Sequence, residues 1–93
     1  MEKPIADLSL FENYRNRQVI LNYYQEDILS QRDGFAFISL KVSKDELIFS
    51  KKDNEVFTVP ITNFPKRLKN DEFQDYYIFR NPEINEYLEI YFS

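Results

Sequence analysis

The sequence has no cysteine, no histidine and no tryptophan, and its 93 residues include one glycine and one methionine. Without cysteine there are no disulfides and no thiol nucleophile; without histidine, the side chain that most often acts as general base at neutral pH is missing. Together these absences remove the usual ligands of zinc, copper, haem and iron–sulfur centres. One glycine cannot build a glycine-rich phosphate loop, which excludes Rossmann and P-loop cradles. No apolar run approaches the roughly 18 residues that span a bilayer. The first residues, Met1-Glu2-Lys3-Pro4-Ile5-Ala6-Asp7, lack the basic and apolar segments of a signal peptide, and no lipidation signal is visible. The expected location is the cytoplasm. Positive charge is also scarce: 12 Lys and Arg against 16 Asp and Glu leave −4. That balance argues against a general affinity for phosphate backbones and ranks nucleic acid low among partners.

What is present is an aromatic-rich apolar complement, 43% hydrophobic with nine Phe and seven Tyr, enough to offset chain entropy in one domain spanning residues 1–93. The bias to Ile, Lys, Asn, Phe and Tyr is what an AT-rich coding sequence yields, as in a low-GC bacterium or its phage. Charge is uneven. From Asp71 to Ser93 six acids (Asp71, Glu72, Asp75, Glu83, Glu86, Glu89) face one base, Arg80, so this segment carries −5 and the rest +1. An acidic C-terminal third suits a basic partner, and equally serves as a solvated surface.

Periodicity predicts an N-terminal helix. Ser9 and Glu12 have capping-box spacing, and Leu10, Phe11, Tyr14, Leu21, Tyr24 and Ile28 recur at helical intervals, interrupted by Arg15 to Gln18. The alternative is a short helix from Leu8 to Arg15 followed by a strand from Gln18 to Tyr24. Asp33-Gly34 then marks a helix stop, where glycine would supply a positive φ. Beyond it Ala36, Ile38, Leu40 and Val42 alternate as one face of a strand, Ser43-Lys44-Asp45 turns, and Glu46–Lys51 pairs with Glu55–Ile61 as a hairpin across Lys52-Asp53-Asn54. Pro60 places that position at an edge or exit. Thr62 to Phe73 reads as a short helix, with Asn63 as cap and Pro65 in the first turn. Strands Asp75–Arg80 and Glu86–Phe92 close the chain across Asn81-Pro82-Glu83. The expected fold is α+β: an N-terminal helix, or helix plus strand, packed on a curled, mainly antiparallel sheet of about five strands, with a short helix before the last two. The strand order is loosely similar to that of the bacterial pleckstrin-homology-like domains. Those close on a C-terminal helix where this chain ends in strand, so no family is assigned.

An enzyme built from this set would rely on carboxylates, Lys, Arg, Tyr, Ser and Thr. The acid pairs Glu26-Asp27, Asp45-Glu46 and Asp71-Glu72 are sequence neighbours that point apart, so no acid/base dyad is indicated. Asp53-Asn54-Glu55 lacks the alternating ligands and central glycine of an EF-hand, and no metal or cofactor is assigned. Lys66, Arg67 and Lys69, joined in space by Lys51 and Lys52, are the candidate anion site if they sit at a helix start, although Asp71 and Glu72 follow and offer intrahelical pairing. The stronger candidate is the last strand: with Leu88, Ile90 and Phe92 inward, Tyr87, Glu89 and Tyr91 project outward as an aromatic–acidic–aromatic stripe. Covered by the N-terminal helix, these tyrosines would instead be core, together with Phe35, Phe37 and Tyr76. A terminal strand at a sheet edge would also permit homodimerisation, unless Glu86 and Glu89 protect it. The expected function is a non-enzymatic protein-binding module, acting as inhibitor, adaptor or accessory factor on another protein. The alternative is a domain that binds an anion, phospholipid or nucleic acid through the basic helix start.

Overall fold

A computed structural model describes residues 2–93. The chain forms nine strands: β1 Glu2–Pro4, β2 Arg17–Gln25, β3 Ile28–Phe37, β4 Ser39–Val42, β5 Glu46–Ser50, β6 Val56–Pro60, β7 Lys66–Asn70, β8 Tyr76–Asn81 and β9 Glu86–Phe92. Two short 3₁₀ segments, Leu8–Asn13 and Lys52–Asn54, are the helical elements among the described residues. The larger sheet has the order β1-β7-β8-β9-β2-β3 and the smaller the order β4-β5-β6, with every pairing antiparallel. The expected α+β architecture is therefore corrected to an antiparallel β fold with 59% strand and no helix of seven or more residues among those described. No helix among them is long and apolar enough to cross a membrane.

Neither expected helix forms. Asp7, not Ser9, caps the first segment, its Oδ1 accepting from the Ser9 amide at 2.9 Å. Glu12 does not reach back to complete a capping box; its Oε2 accepts from the Val42 amide at 3.0 Å and ties the segment to β4. The 3₁₀ segment stops after Asn13, and Asn16 adopts a left-handed φ of 54°, which sends the β-branched and aromatic run from Val19 to Tyr24 into a strand. The helical spacing of Leu21, Tyr24 and Ile28 is produced by a hairpin: Glu26 (φ 52°) and Asp27 (φ 65°) make a two-residue turn and β3 folds back along β2. Gly34 is not a helix stop. It lies inside β3 opposite Ile20 without a positive φ, and a Cβ there would meet its nearest atoms at 3.9 Å, an ordinary contact.

The expected alternation of Ala36, Ile38, Leu40 and Val42 on one face is also corrected. The run breaks at Ile38, whose amide donates to Ser50 O at 2.7 Å while its carbonyl accepts from the Asn16 amide at 3.0 Å. Phe37 and Leu40 are buried on either side of the break and Ile38 is exposed. The inward parity thus shifts by one where the chain leaves the larger sheet for the smaller. The β5–β6 hairpin forms where the sequence places it, with Asp53 (φ 61°) and Asn54 (φ 63°) in its turn, and Pro60 ends the edge strand β6.

The second expected helix, Thr62 to Phe73, is replaced by β7, which pairs with β1 and β8. Two backbone ladders outweigh the single cap and first-turn proline. Arg67 assists by donating to Ile61 O (2.9 Å) and Phe64 O (3.0 Å), which satisfies the loop carbonyls that lead into the strand.

The core lies between the sheets and is built from rings. Phe11, fully buried, meets Tyr77 edge-on at 4.6 Å and lies 5.8 Å from Phe79 and 5.9 Å from Phe92. The short 3₁₀ segment thus does the work expected of a helix with one side chain. Phe11→Ala should destabilise the fold by about 3–5 kcal/mol, read from urea unfolding. Gly34→Ala should leave the fold intact and stabilise it by about 0.4–1 kcal/mol in the same assay, since the added methyl fits and the unfolded chain loses freedom.

Candidate functional site

The larger sheet has one face toward the core and one away from it. On β9 strict alternation buries Leu88, Ile90 and Phe92 among the core residues and turns Tyr87, Glu89 and Tyr91, all half-buried, to the other face. The expected covering helix is absent, and the Leu8–Asn13 segment packs on the opposite face through Phe11. The stripe is therefore uncovered, and it lies at the centre of the sheet: β9 pairs with β8 on one side and β2 on the other, so the expected terminal edge strand is corrected too. The edges are β1 and β3 in the larger sheet and β4 and β6 in the smaller.

Register builds the site row by row. Tyr24, Tyr87 and Arg80 lie across one row, Asn22, Glu89 and Ile78 across the next, and Ile20, Tyr91 and Tyr76 across the third. Tyr24 and Tyr87 stack at 4.5 Å and Tyr76 and Tyr91 at 4.3 Å, both with ring planes 12° apart. Glu89 sits between the stacks. Its Oε2 accepts from Tyr76 OH at 2.6 Å and from Tyr91 OH at 3.4 Å, and its Oε1 accepts from Asn22 Nδ2 at 3.3 Å. Arg80 is drawn aside by Glu2 at 3.0 Å. Burial and the hydrogen bond to Glu89 hold the Tyr76 hydroxyl well above the ordinary tyrosine range. Desolvation, then the Glu89 charge and a hydrogen bond to it, raise Tyr24; desolvation, Asp27 and Glu89 raise Tyr87, against a lowering by Arg80. The face offers ring surface, hydroxyls and one carboxylate. Asn22 Oδ1, enclosed on this face, has no hydrogen-bond partner among the described residues, which costs about 1–3 kcal/mol.

Tyr76 joins this outer network, whereas Phe35 and Phe37 belong to the core side, so the three do not form one buried layer. Asn22, Tyr24 and Tyr76 complete the site and are not legible without the pairing. The one available signal is Asn22, a polar residue on a run of β-branched and aromatic neighbours.

The basic candidates do not converge as a helix start. On β7 Lys66 points to the outer face and Arg67 and Lys69 to the other; Arg67 is engaged by main-chain carbonyls, and Lys51 lies 4.5 Å over the Phe35 ring and 5.4 Å over Phe57. Glu26-Asp27 forms a hairpin turn, and no group of three or more acids among the described residues is placed to hold a metal ion.

A second tyrosine cluster closes the core side near the chain end. Tyr14 OH donates to Asp75 Oδ1 at 2.7 Å and accepts from Tyr77 OH at 2.7 Å, while Arg17 pairs with Asp75 at 2.9 Å and bonds the Ser93 main-chain oxygen. Burial, then the Tyr77 and Asp75 contacts, push Tyr14 far above its usual value. Burial beside Asp33 raises Tyr23 to about 12.

The chain matches no family model, no curated protein and no solved structure.

The buried phenols fix the sign of the alkaline response. Their folded pKa lies above the unfolded value of 10, so the folded state binds more protons between the two and loses stability as pH rises through that window. Unfolding free energy should be steady up to about pH 9 and fall from pH 10 upward. Tyrosinate absorbance of the native protein should lag behind that of the urea-unfolded chain.

Proposed function

We propose that this chain is a non-enzymatic protein-binding module that docks on a partner protein through the outer face of the larger sheet. The cytoplasmic setting read from the sequence goes with this proposal. The observation that carries it is the pair of stacked tyrosine couples, Tyr24–Tyr87 and Tyr76–Tyr91, flanking Glu89 on a face that no helix or second sheet covers among the described residues. Tyrosine supplies broad apolar area at a small entropy cost and keeps a polar end, which suits the centre of an interface. Stacking fixes the rings before a partner arrives, so little freedom remains to be lost on binding. In this reading Tyr87 and Tyr91 are the anchors and Glu89 sets charge complementarity and association rate.

The reading is tested by comparing partners retained from host lysate by the tagged protein and by Tyr87→Ala/Tyr91→Ala, after circular dichroism and melting show that the double variant is folded. A protein partner that survives nuclease treatment should lose at least about a hundredfold in affinity, since each tyrosine anchor contributes roughly 2 kcal/mol. Undiminished binding by the folded double variant, or retention only of nuclease-sensitive material, would overturn the docking assignment.

A further inference from the structure

Among the described residues Asn22 is the one buried polar side chain, 7% exposed, and its Oδ1 is unpartnered. An unmet acceptor of this kind in a native fold has a reason. The strand position does not supply one: Asn22 lies between Ile20 and Tyr24 on its face of β2, where a β-branched side chain would keep the ladder and carry no acceptor. What Asn22 does is hold Glu89. Its Nδ2 donates to Glu89 Oε1, while the two tyrosine hydroxyls occupy Oε2. Asn22 Oδ1 and Glu89 Oε1 are thus two acceptors on side chains one hydrogen bond apart, on a carboxylate whose other listeners are all neutral, with a tyrosine stack on either side.

We propose that this is the seat of an arginine side chain presented by the partner protein, its guanidinium donating to Glu89 Oε1 and Asn22 Oδ1 and its plane lying against a tyrosine ring. The inference rests on the docking reading and names its anchor. Two adjacent acceptors on different side chains match a planar fork of donors rather than the compact charge of lysine, and a guanidinium stacks on aromatic rings. One row along from Asn22 and Glu89, a hollow of about 380 Å³ whose lining includes Ile20, Gly34, Ala36 and Tyr91 with core-side Val19 and Phe92 offers apolar surface for the aliphatic stem. The acceptor is enclosed in the free protein, so the arriving side chain displaces a neighbour. Arg32, across the ladder from Asn22, is exposed and in no ion pair among the described residues.

The probe is Nα-acetyl-arginine amide, titrated into ¹⁵N-labelled protein, with the lysine and citrulline amides as comparators. The arginine amide should shift the Asn22 side-chain amide and the Tyr24, Glu89 and Tyr91 backbone amides saturably, in the millimolar range expected of so small a ligand. The citrulline amide, neutral and nearly isosteric, should bind at least about tenfold more weakly, as a lost charge-assisted pair requires. Glu89→Gln should abolish the shifts. Asn22→Leu should raise the melting temperature while weakening the arginine response, an opposition that a merely structural asparagine does not produce. No saturable shift, equal binding of citrulline, or an unchanged response in Glu89→Gln would overturn the seat, as would a single-stranded oligonucleotide that shifts these residues where arginine does not. If the seat fails while partner binding still depends on Tyr87 and Tyr91, docking stands and its anchor is wrong. If arginine binds as expected while partner binding ignores those tyrosines, docking is what fails.

Discussion

The pairing of β9 with β8 on one side and β2 on the other is the constraint on which the rest of the molecule depends. A central strand is held by two ladders and cannot slip by one residue without turning Leu88, Ile90 and Phe92 out of the core. That register fixes the opposite face as well. It sets Glu89 level with Asn22 and Ile78, and it brings Tyr24 to Tyr87 and Tyr76 to Tyr91, so the candidate site is the reverse side of the core rather than a loop added to it. Core and face are therefore one structural decision, and substitutions that disturb the ladder affect both.

The absence of any helix of seven or more residues among those described is compensated by two devices. One is Phe11, which fills the centre from a single 3₁₀ turn and gathers Tyr77, Phe79 and Phe92 around it. The other is the break at Ile38, where one continuous run of chain changes sheets and carries Phe37 and Leu40 into the same core. Rings suit this geometry because a few large side chains span the space between two small sheets that many small ones would leave porous. The acidic composition also has a structural use. Left-handed turn positions are held by Asn16, Glu26, Asp27, Asp53, Asn54, Asp75 and Asn85 in a chain with one glycine, and asparagine and aspartate tolerate that region better than other side chains do.

The two tyrosine clusters divide their labour by side of the sheet. Tyr77 donates to Tyr14, Tyr14 donates to Asp75, and Asp75 pairs with Arg17, so both hydroxyls are consumed in closing the core near Ser93. Tyr76 and Tyr91 share one carboxylate oxygen on the outer face, and the other oxygen takes a long bond from Asn22. The first arrangement is complete in itself. The second is incomplete, because Asn22 Oδ1 has no donor among the described residues, and that asymmetry separates a structural cluster from a candidate binding site.

The sequence by itself determined the local and the alternating. The β5–β6 hairpin follows from Asp53-Asn54 between two apolar runs, the span of β9 follows from its period-two pattern, and the outward stripe Tyr87, Glu89 and Tyr91 follows from that pattern alone. Where two local signals competed, only the tertiary structure decided. Leu21, Tyr24 and Ile28 carry helical spacing, and Lys66 to Asn70 follows a plausible cap and first-turn proline, yet both segments are strands because ladders to distant neighbours satisfy more backbone groups than a short isolated helix would. The same long-range pairing decided that β9 is central rather than an edge, and it brought Asn22 and Tyr76 to Glu89 from positions 67 and 13 residues away. No spacing rule encodes such contacts. They exist only once register has been fixed by the burial of the opposite face.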